Sequence, residues 1–90
     1  MRTIRYSTKY KKDIKRYANN KIFLDALYRI VKLLEQNKPV PPENKPHFLK
    51  GEYKGCMECH VLSDFLLIWY DEDENTIWLE RIGTHSELFR

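Results

Sequence analysis

Cys56-Met57-Glu58-Cys59-His60-Val61-Leu62, then Ser63-Asp64, then Phe65-Leu66-Leu67-Ile68-Trp69-Tyr70 is the stretch that decides the fold. Two apolar runs of strand length flank a polar pair, which predicts strands over 56–62 and 65–70 joined by a tight turn at Leu62-Ser63-Asp64. A third run, Ile77 to Ile82, follows the acidic loop Asp71-Glu72-Asp73-Glu74-Asn75. Connections this short suit antiparallel neighbours, so the second half reads as a meander. Side chains alternate faces along a strand. Met57, Cys59 and Val61 therefore point one way, and Cys56, Glu58, His60 and Leu62 the other. The third strand carries apolar residues on both faces, with Ile77 and Leu79 opposite Trp78 and Ile82, as expected for a strand covered on both sides.

Toward the N-terminus the apolar period changes from 2 to 3.6. Thr3 to Tyr6 reads as a short strand, and Ser7 is placed to cap a helix by accepting from a free backbone N–H. Tyr10, Ile14 and Tyr17 recur at helical spacing, with Lys9, Lys11, Lys12, Lys15 and Arg16 on the polar side. Asn19-Asn20 breaks this helix. A second runs from Lys21 to Gln36, with Phe23, Leu27, Ile30 and Leu34 as its stripe and Leu24 and Val31 widening it. Asn37-Lys38-Pro39 ends it, and Pro41, Pro42 and Pro46 predict an extended connection without regular structure. The order is β-α-α-β-β-β. The expected class is α+β, two N-terminal helices packed on one face of a small, antiparallel-dominated twisted sheet.

Ninety residues suit one domain, 1–90. No apolar run approaches the roughly 18 residues of a membrane span. The opening Met1-Arg2-Thr3-Ile4-Arg5 lacks a signal peptide's apolar stretch. The expectation is a cytoplasmic protein with no membrane partner and with reduced Cys56 and Cys59. Charge is uneven: residues 1–54 hold 14 Lys/Arg against 5 Asp/Glu, residues 55–90 hold 2 against 8. The basic half could attract a polyanion or an acidic protein, although charge alone favours an ordinary solvated helix face.

Chemistry concentrates late in the chain, where all three histidines lie: His47, His60 and His85. Imidazole suits proton transfer near neutral pH. Arg81, Glu58 and Asp64 are close in sequence. Glu58 and His60 share a strand face, so a carboxylate and an imidazole can serve one site. Cys56-Met57-Glu58-Cys59-His60 also matches the C-x-x-C-H haem pattern and contains C-x-x-C. In an extended strand, residues three apart point to opposite faces and the sulfurs diverge. A structural zinc needs four ligands, and no second pair has a useful spacing. We therefore expect no cofactor, a core Cys59 and a half-exposed Cys56.

Three further blocks carry a family resemblance. His47-Phe48-Leu49-Lys50-Gly51-Glu52-Tyr53-Lys54-Gly55 resembles the H-x-L-x-G-x-W/Y-x-G stretch of the YafQ branch of the RelE/ParE toxin superfamily. Glu58-Cys59-His60-Val61 with Asp64-Phe65-Leu66-Leu67-Ile68 resembles its D-x-H-V…D-W-x-L-I-Y. Glu80-Arg81-Ile82-Gly83-Thr84-His85-Ser86-Glu87-Leu88-Phe89 resembles its E-R-T-G-T-H-x-x-L-F. The resemblance implies a RelE-like fold and the toxin of a bacterial toxin–antitoxin pair. It implies a metal-independent ribonuclease that enters the ribosomal A site and cuts translated mRNA. Its expected partners are an antitoxin, mRNA and ribosomal RNA, with operator DNA reached only through the antitoxin.

The family's active positions fall on His47, His60, Asp64, Phe65, Arg81, His85 and Phe89. Glu58 stands where the branch has Asp, and Phe65 where it has Trp. Metal-free RNA cleavage needs a base for the 2′-OH, an acid for the leaving 5′ oxygen and a cation for the phosphorane. Arg81 suits the phosphate, since its planar fork meets two oxygens. His85 is the expected acid, and His60 or His47 the base. Asp64 or Glu58 would orient a histidine. Phe89 and Phe65 are the expected base-stacking rings, and Lys50 and Lys54 with the basic helix the contacts to ribosomal RNA. Each has a plainer role: Arg81 in a surface pair with Glu80 or Glu87, Phe89 as an apolar plug, Asp64 bonding its own turn, His47 bonding backbone. Two other classes fit the fold, a ParE-like inhibitor without catalysis and a decayed module that keeps only antitoxin binding and operon control.

Overall fold

The computed structural model describes residues 1–89. Ser7 starts the first helix as expected. Its hydroxyl accepts from the Tyr10 N–H at 3.0 Å and donates to the Glu80 carbonyl at 2.6 Å. One side chain thus ends β1 (Thr3–Tyr6), opens α1 (Thr8–Lys15) and ties both to the last strand. The helix is a turn shorter than its apolar spacing suggests, yet Tyr17 beyond its end is still buried. Asn20 does more than break α1. Its side chain accepts from the Phe23 N–H at 3.1 Å and so caps α2 (Lys21–Glu35). The stripe Phe23, Leu27, Ile30 and Leu34 is buried along its whole length.

The proline-rich connection is more regular than its sequence suggests. Single 3-10 turns at Pro42–Asn44 and Gly51–Tyr53 flank a two-residue strand, β2 (His47–Phe48). This correction matters for function, because β2 brings His47 into the sheet. Proline blocks only its own ladder bond, and the pairing residues here are His47 and Phe48. The meander follows as β3 (Met57–Leu62), β4 (Phe65–Asp71) and β5 (Thr76–Thr84), and the short helix α3 (His85–Leu88) closes the described chain. The strands lie in the order β1-β5-β4-β3-β2, antiparallel except for the parallel β1–β5 pair.

Helices α1 and α2 cover one face. Phe23, Leu27 and Ile30 pack there with Cys59, Val61, Leu67, Trp69, Ile77, Leu79 and Ile82. Ile82 corrects the simple alternation, which sets it opposite Ile77 and Leu79. The β4–β5 register slips between Ile68/Arg81 and Trp69/Leu79, leaving Glu80 as an extra residue. This β-bulge turns Ile82 back to the helix side and Arg81 to the other face. That second face carries a smaller cluster, Leu66, Ile68 and Leu88 with Leu49, Tyr53 and Cys56. Cys59 is buried under the helices and Cys56 is half-buried on the far face, both as free thiols.

Candidate active site

The site follows from register. His47 pairs with Glu58, Glu58 with Ile68, and Ile68 with Arg81. Paired residues share a sheet face, so these four make one row across four strands on the face away from the helices. Neighbouring strands lie about 4.8 Å apart, which puts the Glu58 and Arg81 backbones roughly 10 Å from each other. His60 sits one pleat along in the next row, whose other members are Leu66 and Gly83.

Glu58 is 5% exposed and meets His47, not His60: its Oε1 lies 3.1 Å from His47 Nε2. Its Oε2 is buried without a hydrogen-bond partner. The other ring nitrogen of His47, Nδ1, faces the Lys45 carbonyl at 2.8 Å. Both nitrogens of His47 are therefore engaged, and one proton must lie between Nε2 and Oε1 for that contact to be a hydrogen bond. His60 is held by Nδ1 against the Ser63 carbonyl at 3.2 Å, and the Asn44 amide donates to its own carbonyl at 2.7 Å. The positive φ of Ser63 closes the β3–β4 turn. Asp64 is exposed in that turn and lies at the sheet end where Phe65 pairs with Thr84, next to His85.

Arg81 forms neither of the expected surface pairs. Its Nε and Nη2 donate to the two oxygens of Asp13 at 2.7 and 3.1 Å, and its Nη1 donates to the Tyr53 hydroxyl at 3.1 Å. The hydrogen bond to Asp13 holds the guanidinium above arginine's ordinary value. Asp13 was invisible among lysines, where an acid reads as one more solvated charge. Tyr53 stood in a quoted motif without a role.

His85 opens α3 under a capping box. The Glu87 N–H donates to Thr84 Oγ1 at 3.3 Å, and Glu87 Oε1 accepts from the Thr84 N–H at 2.8 Å and from the Tyr17 hydroxyl. These donors, the Thr84 N–H first, hold the Glu87 carboxyl below the usual range. Burial and that same hydrogen bond push the Tyr17 hydroxyl up to about 12. A Cβ at position 83 would fall 2.9 Å from Glu87 Oε1, so any larger residue than Gly83 would have to displace this carboxylate. The exposed His85 ring lies tilted against Phe89 at 4.9 Å, and Phe89 meets Tyr53 edge-on at 5.9 Å. Phe89 is 37% exposed, so it is a half-open wall of the site more than a plug.

Phe65 is a correction. Its ring packs between Tyr17 and Phe23, at 5.3 and 4.7 Å, on the helix side of the sheet. It is partly buried against the core, so its ring is engaged by these two neighbours and is not a free stacking surface. Lys50 and Lys54 are on either side of the Gly51–Tyr53 turn, both exposed. Among the described residues, no three His, Cys, Asp or Glu side chains gather as a metal site needs, and no helix is long and apolar enough to cross a membrane.

This five-stranded sheet, with its two long helices on one face, has the fold of RelE-like toxins. The chain belongs to the YafQ family, bacterial toxins of type II toxin–antitoxin systems, whose model matches residues 2–90. It is 37% identical over 89 residues to the mRNA interferase toxin YafQ of Escherichia coli K12, covering 98% of this chain and 96% of that one. The toxin in the E. coli DinJ–YafQ complex superposes with a TM-score of 0.86 at 33% identity, covering all of both chains. A metal-bound toxin from Helicobacter pylori is 43% identical with a TM-score of 0.86, covering 99% of this chain and all of its own.

Proposed function

We propose that this chain, taken as one toxin domain over residues 1–90, is an endoribonuclease that cuts translated mRNA in the ribosomal A site. The observation that carries the reading is the row His47–Glu58–Ile68–Arg81, with His60 beside it and His85 at the same sheet end. It offers two separated proton carriers around one guanidinium, which is what 2′-OH attack on the adjacent phosphate requires. In this reading Arg81 meets the phosphate and His85 is the acid. His60 is the better base, because both ring nitrogens of His47 are already engaged. His47 and Glu58 form a proton-holding pair at the row's far end. Phe89 gives a stacking surface for an unpaired base, and Lys50, Lys54 and basic α1 meet ribosomal RNA.

None of these steps uses a metal ion. An antitoxin restrains the toxin in the cytoplasm, as DinJ is bound to YafQ in the E. coli complex, and operator DNA is reached only through it. The test is cleavage mapping on translating ribosomes for wild type and for His85→Ala, His60→Ala and His47→Ala. His85→Ala should lose about 10²- to 10⁴-fold in cutting rate at an unchanged unfolding temperature. A folded His85→Ala protein that cuts as fast as wild type would sink the proposal. If DNA supercoiling fails before translation on induction, the ParE-like reading takes its place.

A further inference from the structure

Asp13 is the only acid on α1, a helix otherwise carrying lysines, and it is 3% exposed. Strand β1 stops pairing with β5 at Tyr6–Leu79. Past that point the edge of β5 is open, and α1 fills it. Ser7 satisfies the Glu80 carbonyl, and Asp13 accepts from the Ile82 N–H at 3.1 Å as well as from Arg81. One carboxylate therefore fixes both the backbone leading to His85 and the guanidinium next to it.

The donor count is informative. An arginine has five N–H donors. Asp13 takes two and the Tyr53 oxygen a third. Two N–H groups remain, one on each Nη nitrogen. A site needing only positive charge gains nothing from a buried carboxylate on its arginine, since the carboxylate cancels that charge. A site needing direction does gain.

We propose that Asp13 and Tyr53 are positioning residues for the cleavage reaction: they lock Arg81 so that its two remaining N–H groups cradle the scissile phosphate. This rests on the reading of Arg81 as the phosphate-binding group. Tyr53 ties the cradle to the aromatic wall as well, through its edge-on contact with Phe89.

The test is single-turnover cleavage of mRNA on translating ribosomes, read as the rate at saturating toxin and the toxin concentration giving half that rate. Thermal unfolding checks that each variant folds. Asp13→Asn should cut about 10²-fold more slowly at saturation, the scale of a misplaced catalytic group, with the half-saturating concentration unchanged or lower. Tyr53→Phe, which removes one hydroxyl and keeps the ring, should cut about 10-fold more slowly. In an Arg81→Lys background, where no fork is left to orient, both substitutions should lose their effect. The inference fails if Asp13→Asn and Tyr53→Phe cut at the wild-type rate while Arg81→Ala is dead, or if their losses persist in the Arg81→Lys background. Should Asp13→Asn not fold, Tyr53→Phe decides alone. If Arg81→Ala cuts normally, the reading of the site itself falls, and this inference with it.

Discussion

The two faces of the sheet are made by the same strands and do opposite work. Under the helices, Phe23, Leu27, Leu67, Ile77, Leu79 and Ile82 form a continuous apolar layer. On the other face, a thin cluster of Leu66, Ile68 and Leu88 lies beside a polar row in which Glu58 and Arg81 are held by specific partners. Burial is non-directional and scales with area, so the helix face depends on filled volume more than on bond angles. The polar row depends on angles and single hydrogen bonds. Stability is therefore concentrated on one side and chemistry on the other.

Breaking the helix face should have the largest effect on stability. Phe23 is fully buried and contacts Tyr17 and Phe65. Phe23→Ala should cost about 3–5 kcal/mol, measured by urea unfolding. A loss below about 1 kcal/mol would mean that this face does not carry the fold. Leu88→Ala removes an anchor of the thinner cluster and should cost about 2 kcal/mol, the low end for buried leucine. It should also slow cleavage, because α3 carries His85. A Leu88→Ala protein as unstable as Phe23→Ala would erase the distinction between the faces.

Glu87 gives the smallest and most specific test. Its folded carboxyl is held below the ordinary value of 4.5 by the Thr84 N–H and the Tyr17 hydroxyl. A depressed carboxyl contributes stability that is present above the ordinary value and lost as pH falls through the folded one. Glu87→Gln should therefore cost at most about 1 kcal/mol at pH 7 and flatten the loss of stability below pH 4.5. Unfolding curves from pH 7 to pH 3 check this, and an unchanged acid slope would assign acid sensitivity to other carboxyls.

Much of this was legible in the residues. The turn at Ser63-Asp64, the Ser7 cap, the α2 stripe and the divergence of Cys56 from Cys59 all follow from local rules. The site was legible only in part. His47 looked weakest because it follows Pro46 in a connection without evident structure, yet β2 seats it opposite Glu58. Glu58 looked like the partner of His60 because they share a strand face. The contact runs across strands instead, where paired side chains stand closer than residues two apart on one strand. Phe65 matches a stacking position by motif, yet its ring packs against the core.

Periodicity, capping and turn chemistry act over a few residues, so the sequence by itself determined the elements, their apolar faces and the pool of titratable groups. Which groups meet was decided by the tertiary structure alone. Asp13 and Arg81 are 68 residues apart in the chain. Their contact depends on where β1 ends, on how α1 fills the edge of β5, and on the bulge at Glu80 that turns Arg81 away from the core. Each is a consequence of packing one element against another, and none has a local signal.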